Sequence, residues 1–222
     1  YGPIFNREAL EAGRTWEDLQ KFATKISDGV FVSRNWDALR QRGVDLLFHP
    51  GTHDFVCYDL AWGGAHHPQM PIYLGANSGH GQRNNHPGNF KGVGHRDAFL
   101  VAHFFDDCPR LLEPPAMETE VAEGKLQVRV EFKPESDEDS GRVFWMFNRP
   151  PDGSMGYLEK LIPEGNWAKM VRNDGGWMAE IELDVGAKHI DVFSTHGKRI
   201  SYRGRTFQTY LSSPYTRVNL PK

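Results

Sequence analysis

Two hydrophobic periodicities follow one another along the chain. In roughly its first half, apolar positions recur at helical spacing or in short unbroken runs. TWEDLQKFATKI, residues 15–26, sets Trp16, Leu19, Phe22 and Ile26 at helical spacing, with Thr15 as N-cap and Asp18 three residues on. NWDALRQRG follows Ser33 and predicts a second short helix, carrying Trp36 and Leu39 and stopping at Gly43. VDLLF (44–48) and PIYLGA (71–76) are apolar runs of the kind that strands buried on both faces of a parallel sheet show. Each leads into a polar loop, GTHDF and NSGHG, and DAFLVAHFFD (97–106) then reads as a helix. The order helix, strand, loop, strand, loop, helix predicts an α/β layered region.

Beyond Cys108 the pattern changes. PRLLEPPAMETE reads as a Pro-rich connector, and Leu126, Val128, Val130 and Phe132 then alternate with polar residues at the period of a half-buried strand. Further strands are predicted over 143–147, 167–171, 177–183, 190–194, 207–211 and 216–220, with Asn173-Asp174-Gly175-Gly176 as a hairpin turn. The resulting expectation is α/β followed by all-β, divided into residues 1–110 and 111–222, the second an immunoglobulin/fibronectin-like β-sandwich. A 39% hydrophobic content over 222 residues suffices for two such domains.

Charge narrows the range of partners. A formal charge of -3 with both signs interspersed creates no cationic field for nucleic acid or an anionic membrane. No apolar run approaches the roughly 20 residues that span a bilayer. Cys57 and Cys108 are too few for a disulfide framework and lack zinc-site spacing; they are read as a pair or as free thiols. No phosphate-binding Gly-rich turn or dinucleotide fingerprint is present, so no cofactor is implied. Tyr1-Gly-Pro has neither the basic nor the apolar region of a signal peptide, and the expectation is a processed product or a piece of a longer chain.

The candidate chemistry lies in the two polar loops. Asp54 closes G-T-H-D after the first apolar run and His80 sits in N-S-G-H-G after the second, the places where α/β sheets gather functional groups. Acid before histidine is the second half of the order Ser, Asp, His used by α/β-hydrolases. VDLLFHPGTHDFV, PIYLGANSGHG and the closing helix together resemble the C-terminal half of an α/β-hydrolase sheet with its helices. They are similar in particular to the PhoPQ-activated pathogenicity-related protein family. That resemblance implies that Asp54 orients and stabilises the imidazole and that His80 is the general base of ester or amide hydrolysis. Asp59 is a rival for the acid.

The chain has no G-x-S-x-G, and Ser78 in G-A-N-S-G lies inside the histidine loop without the strand, turn and helix of a nucleophile elbow. The nucleophile is therefore expected upstream or on a companion polypeptide that completes the sheet, with homodimerisation through the open edge as the other way to cover it. Eight of the ten histidines fall between His49 and His103, which opens a metal site as an alternative, although no H-E-x-x-H spacing occurs. Another alternative is a non-catalytic binding or scaffold protein, with Trp145, Trp167 and Trp177 as an aromatic platform for carbohydrate. The loops around Trp62-Gly63-Gly64 and 84–88 would shape a pocket under the catalytic reading.

Overall fold

The computed structural model of the chain describes residues 11–13, 15, 18, 21, 35–54, 60–80, 86–91, 94–150, 160–174 and 176–221. Nine strands are named β1 (Ala116–Ala122), β2 (Lys125–Glu131), β3 (Ser140–Phe147), β4 (Trp167–Lys169), β5 (Val171–Asn173), β6 (Gly176–Glu182), β7 (His189–Tyr202), β8 (Arg205–Ser212) and β9 (Thr216–Asn219). Among the described residues the helices are α1 (Trp36–Gln41), α2 (Leu60–His66) and α3 (His95–Phe104). None is long and apolar enough to cross a membrane.

The strands form two antiparallel sheets. One has the order β1-β2-β6-β5; the other runs β4-β3-β7-β8, with β9 also paired to β7. Alternation in β2 sends Leu126, Val128 and Val130 inward, where they meet Trp177 and Ile181 of β6 and Val143, Ile190 and Val192 of the second sheet. The second sheet is buried on its other face too. There Phe144, Met146 and Phe193 pack with Leu60, Leu74 and Ala76 from the N-terminal part of the chain. The second sheet is thus the middle of three layers, and the N-terminal segments are held on it by a shared apolar core.

Tight turns set the register. Glu123 and Gly124 between β1 and β2, and Arg203 and Gly204 between β7 and β8, have positive φ at both central positions, as a two-residue hairpin requires. The Asn173–Gly176 turn joins β5 to β6 where the sequence places it.

The fold is not α/β followed by all-β. It is mostly β, and the α/β-hydrolase sheet expected within residues 1–110 is absent from the described residues. The end of the first run and the loop after it meet the run 72–76 only at two isolated parallel bridges, Phe48 to Ile72 and Gly51 to Gly75. The physical reason is one-sided burial. Val44 is 39% exposed and Leu46 to Phe48 are half-buried, whereas Tyr73 to Ala76 are buried against the middle sheet. Ser212, at the end of β8, completes the hydrogen bonding of the second run, its N–H donating to Ile72 O and its Oγ accepting from Leu74 N (2.8 and 3.0 Å).

Three elements differ from the sequence reading for identifiable reasons. β1 was expected as connector; it is an edge strand with Glu118 and Glu120 outward and only one half-buried side, so its apolar signal is weak. α2 contains Gly63 and Gly64, which read as loop residues. A Cβ on Gly64 would lie 2.3 Å from Tyr215 O, so close packing of helix on chain selects glycine there. β7 runs eight residues past the predicted end at Ser194, because its polar residues are buried and bonded: Thr195 Oγ1 lies 2.9 Å from Ser212 Oγ, and Ser194 N donates to Ser213 Oγ. Of the helix expected over 15–26, most lies outside the described residues, but Thr15 and Asp18 exchange the expected reciprocal capping bonds.

His196 on β7 is fully buried, edge-on to Phe132 and Trp177, with Nε2 2.9 Å from Ser194 Oγ. Burial pushes its pKa down to about 3, so the folded ring stays neutral where an unfolded histidine, near 6.5, takes up a proton. Its contribution to stability is complete above the unfolded value and is lost as pH falls from there towards 3. Urea unfolding should therefore show stability decreasing below about pH 6.5, by up to about 1.4 kcal/mol per pH unit for one such group. His196→Phe should remove one histidine's share of that slope. Identical slopes in the two proteins would refute the assignment.

Candidate functional site

The two polar loops are brought together by backbone. Gly75 N donates to Pro50 O and Thr52 N to Gly75 O, both at 3.0 Å, and His53 N donates to Ser78 O at 3.0 Å. The approach is close enough to require glycine. A Cβ on Gly51 would fall 1.9 Å from Ser78 O, and one on Gly75 would fall 2.5 Å from Ser78 Oγ. Thr52 Oγ1 accepts from Asn77 N at 2.9 Å and lies 2.8 Å from His53 Nδ1. Asn77, in the left-handed region at φ 58°, exchanges two hydrogen bonds with the Ile162 main chain, and Asn89 does the same with Ala76.

This junction places Asp54 beside His80. Asp54 Oδ1 lies 3.2 Å from His80 Nδ1; the carboxylate side chain is 8% exposed and the imidazole 67%. A carboxylate accepts, so Nδ1 carries the proton of this bond, and in the neutral ring the lone pair is on Nε2. The arrangement is a buried acid fixing the tautomer of a histidine that faces solvent, which suits proton transfer at Nε2. Ser78 packs its side chain into the glycine junction, against Gly51 and Gly75. Asp59 and Cys57 lie outside the described residues; Cys108 is a free thiol.

Beneath the junction is a cation that the sequence did not single out. Arg149, fully buried just after β3, donates from Nη2 to Thr52 O and from Nη1 to Tyr215 Oη at 2.9 Å. Tyr215 in turn donates to Asp191 Oδ2 at 2.9 Å, and Asp191 receives Arg217 Nε at 2.6 Å. In sequence Arg149 sits in N-R-P-P, which reads as a surface turn; only its neighbourhood reveals it as a core residue.

The histidine-rich stretch fastens loops. His53 Nε2 donates to Lys160 O at 2.7 Å, His86 Nε2 to Pro163 O at 3.0 Å, and His95 Nδ1 accepts from Tyr210 N at 3.0 Å. Burial pushes His53 and His95 down to about 4, aided at His53 by the Arg149 charge and at His95 by His49 and Arg96. Neutral rings are what such acceptor and donor roles need. Among the described residues no three His, Cys, Asp or Glu side chains converge to hold a metal ion. Of the tryptophans, Trp177 is core, Trp145 is half-buried against the same cluster, and Trp167 lines a small pocket with Arg142. A cleft of about 670 Å³ lies elsewhere, between residues 43–47, α3 and the connector before β1, and holds neither Asp54 nor His80.

No family model, no curated protein and no solved structure matches the chain.

A glycine of the junction and one of α2 face opposite demands. Gly51→Ala should destabilise the protein by about 3 kcal/mol or more, because main chain rather than a flexible side chain blocks the Cβ. Gly63→Ala, in α2 with open space at its Cβ, should be neutral or stabilise by roughly 0.5–1 kcal/mol. Thermal unfolding of both variants checks the contrast, and equal effects would refute the packing argument.

Proposed function

We propose that Asp54 and His80 form the acid and base of a hydrolytic site acting on an ester or amide bond, with the nucleophilic hydroxyl on another polypeptide segment, upstream or in a companion chain. The observation that carries this reading is the 3.2 Å hydrogen bond that a buried carboxylate accepts from Nδ1 of an exposed imidazole.

In this mechanism His80 Nε2 takes the proton of the hydroxyl as its oxygen bonds to the carbonyl carbon. The tetrahedral oxyanion collapses, breaking the bond to the leaving group, which receives the proton from Nε2. Water repeats the sequence on the acyl intermediate and releases the acid. Asp54 stays ionised throughout, holding the ring in one tautomer and stabilising the imidazolium.

A fluorophosphonate probe applied to the source polypeptide and its co-purifying chains, followed by mass analysis, tests the proposal, since the probe modifies a serine that a histidine has activated. Labelling should fall outside residues 1–222 and vanish with His80→Ala. Asp54→Asn should preserve the fold and slow hydrolysis by roughly three to four orders of magnitude. Labelling indifferent to His80→Ala would defeat the base assignment, and a label inside residues 1–222 would defeat the placement of the nucleophile.

A further inference from the structure

A second site lies on the same N-terminal layer, at the edge of the middle sheet, and it is built around Arg142 of β3. Its guanidinium carbon sits 4.0 Å from the ring centroid of Phe90 and 5.4 Å from that of Trp167, and Phe90 stacks in turn on Tyr210 at 4.7 Å. Cation–π contact of this kind holds the planar group by its faces and leaves its edges for hydrogen bonding. One edge donor, Nη1, goes to Gly88 O. Gly88 lies flush on the indole, for a Cβ there would fall 2.6 Å from Trp167 Cγ, so the loop fixes ring and guanidinium together. Asn89, the next residue, ties that loop to Ala76 on the run leading to His80.

The charge of Arg142 is met by no anion among the described residues. Among the described residues no carboxylate forms an ion pair with it, and no acceptor other than Gly88 O takes one of the five N–H bonds of a guanidinium. Burial lowers its pKa, the sign of a cation taken partly out of water. The nearby acid, Asp139, is committed to Arg199 N and Nε and to Ser140 Oγ. The guanidinium opens instead on a pocket of about 290 Å³ whose other walls include Phe90, Lys91, Ser140, Trp167 and Gln208.

The geometry points to a binding site for a small acidic sugar, a hexuronate, whose carboxylate meets the in-plane edge of Arg142. A fork anchored against aromatic rings accepts a planar carboxylate in two parallel bonds, and Lys91 adds charge of the same sign. The volume admits a single ring. The aromatic walls supply apolar contact for one face of that ring, and Ser140, Gln208 and Lys91 supply partners for hydroxyls. One guanidinium edge and one ammonium, with aromatic rings among the remaining walls, suit a monoanion better than a phosphate dianion. The site stands independently of the Asp54–His80 proposal, since none of its side chains belongs to that pair.

Nitrogen-15 NMR of the intact wild-type chain reads the site directly through the Arg142 Nε–H signal and needs no variant to fold. Glucuronate should shift that signal saturably, glucose should leave it unmoved, and inorganic phosphate should bind at least about tenfold more weakly. Arg142→Lys, which keeps the charge and loses the fork, should weaken glucuronate about tenfold in calorimetry. Benzoate binding more tightly than glucuronate would overturn the sugar assignment, and phosphate binding as tightly would overturn the carboxylate. Glucuronate binding that leaves the Arg142 signal in place, or no binding, would overturn the site itself.

Discussion

A guanidinium sealed from water must have its charge met inside the protein, and the way this chain does so for Arg149 organises much of the rest. Its donors reach the Thr52 carbonyl and the Tyr215 hydroxyl, and through that hydroxyl they reach Asp191, which Arg217 also binds. One group thereby joins β3, β7, the segment leading into β9 and the loop that carries Asp54. Truncating one member of such a network leaves another charge buried without its partner, a far larger cost than the net value of any single bond. The network also spreads positive potential under the acid loop, which helps keep the neighbouring His53 neutral.

The middle sheet supplies the rigidity that this network presupposes. β7 is buried along most of its length and pairs with β3, β8 and β9, so its side chains must satisfy two interfaces at once. Apolar residues serve both: Ile190 and Val192 in one core, Phe193 in the other. Buried polar ones find partners within reach, as Thr195 does in Ser212 and Asp191 in Arg217 and Tyr215. Loops laid on such a sheet inherit its precision, and for that reason a 3.2 Å contact between residues 26 positions apart can be held on largely irregular backbone.

What could be read from the sequence follows from which signals are local. Strand alternation at Leu126, Val128 and Val130 and the Asn173–Gly176 turn are local, and both are found where they were expected. Asp54 and His80 were legible as a pair because each closes a glycine-containing loop after an apolar run. The fold class was not, since VDLLF and PIYLGA look alike whether a run is buried on two faces or one, and only the packing of Leu74 against the middle sheet against the exposure of Val44 decides it. Arg149 and the buried polar half of β7 were invisible for the converse reason: their composition is that of a surface, and their burial is made tolerable by partners distant in sequence.

The glycine junction carries a meaning for descent as well as for geometry. Two main chains that approach until Gly51 has no room for a Cβ beside Ser78 O leave no gradual route to another residue there. A substitution must wait for the loops to separate, and separation removes the acid from the histidine. Among any relatives of this chain, that glycine, the acid and the histidine should be inherited as a block or lost as one. Such a three-position signature would mark the presence of the site in a bare sequence, before any side chain had been placed.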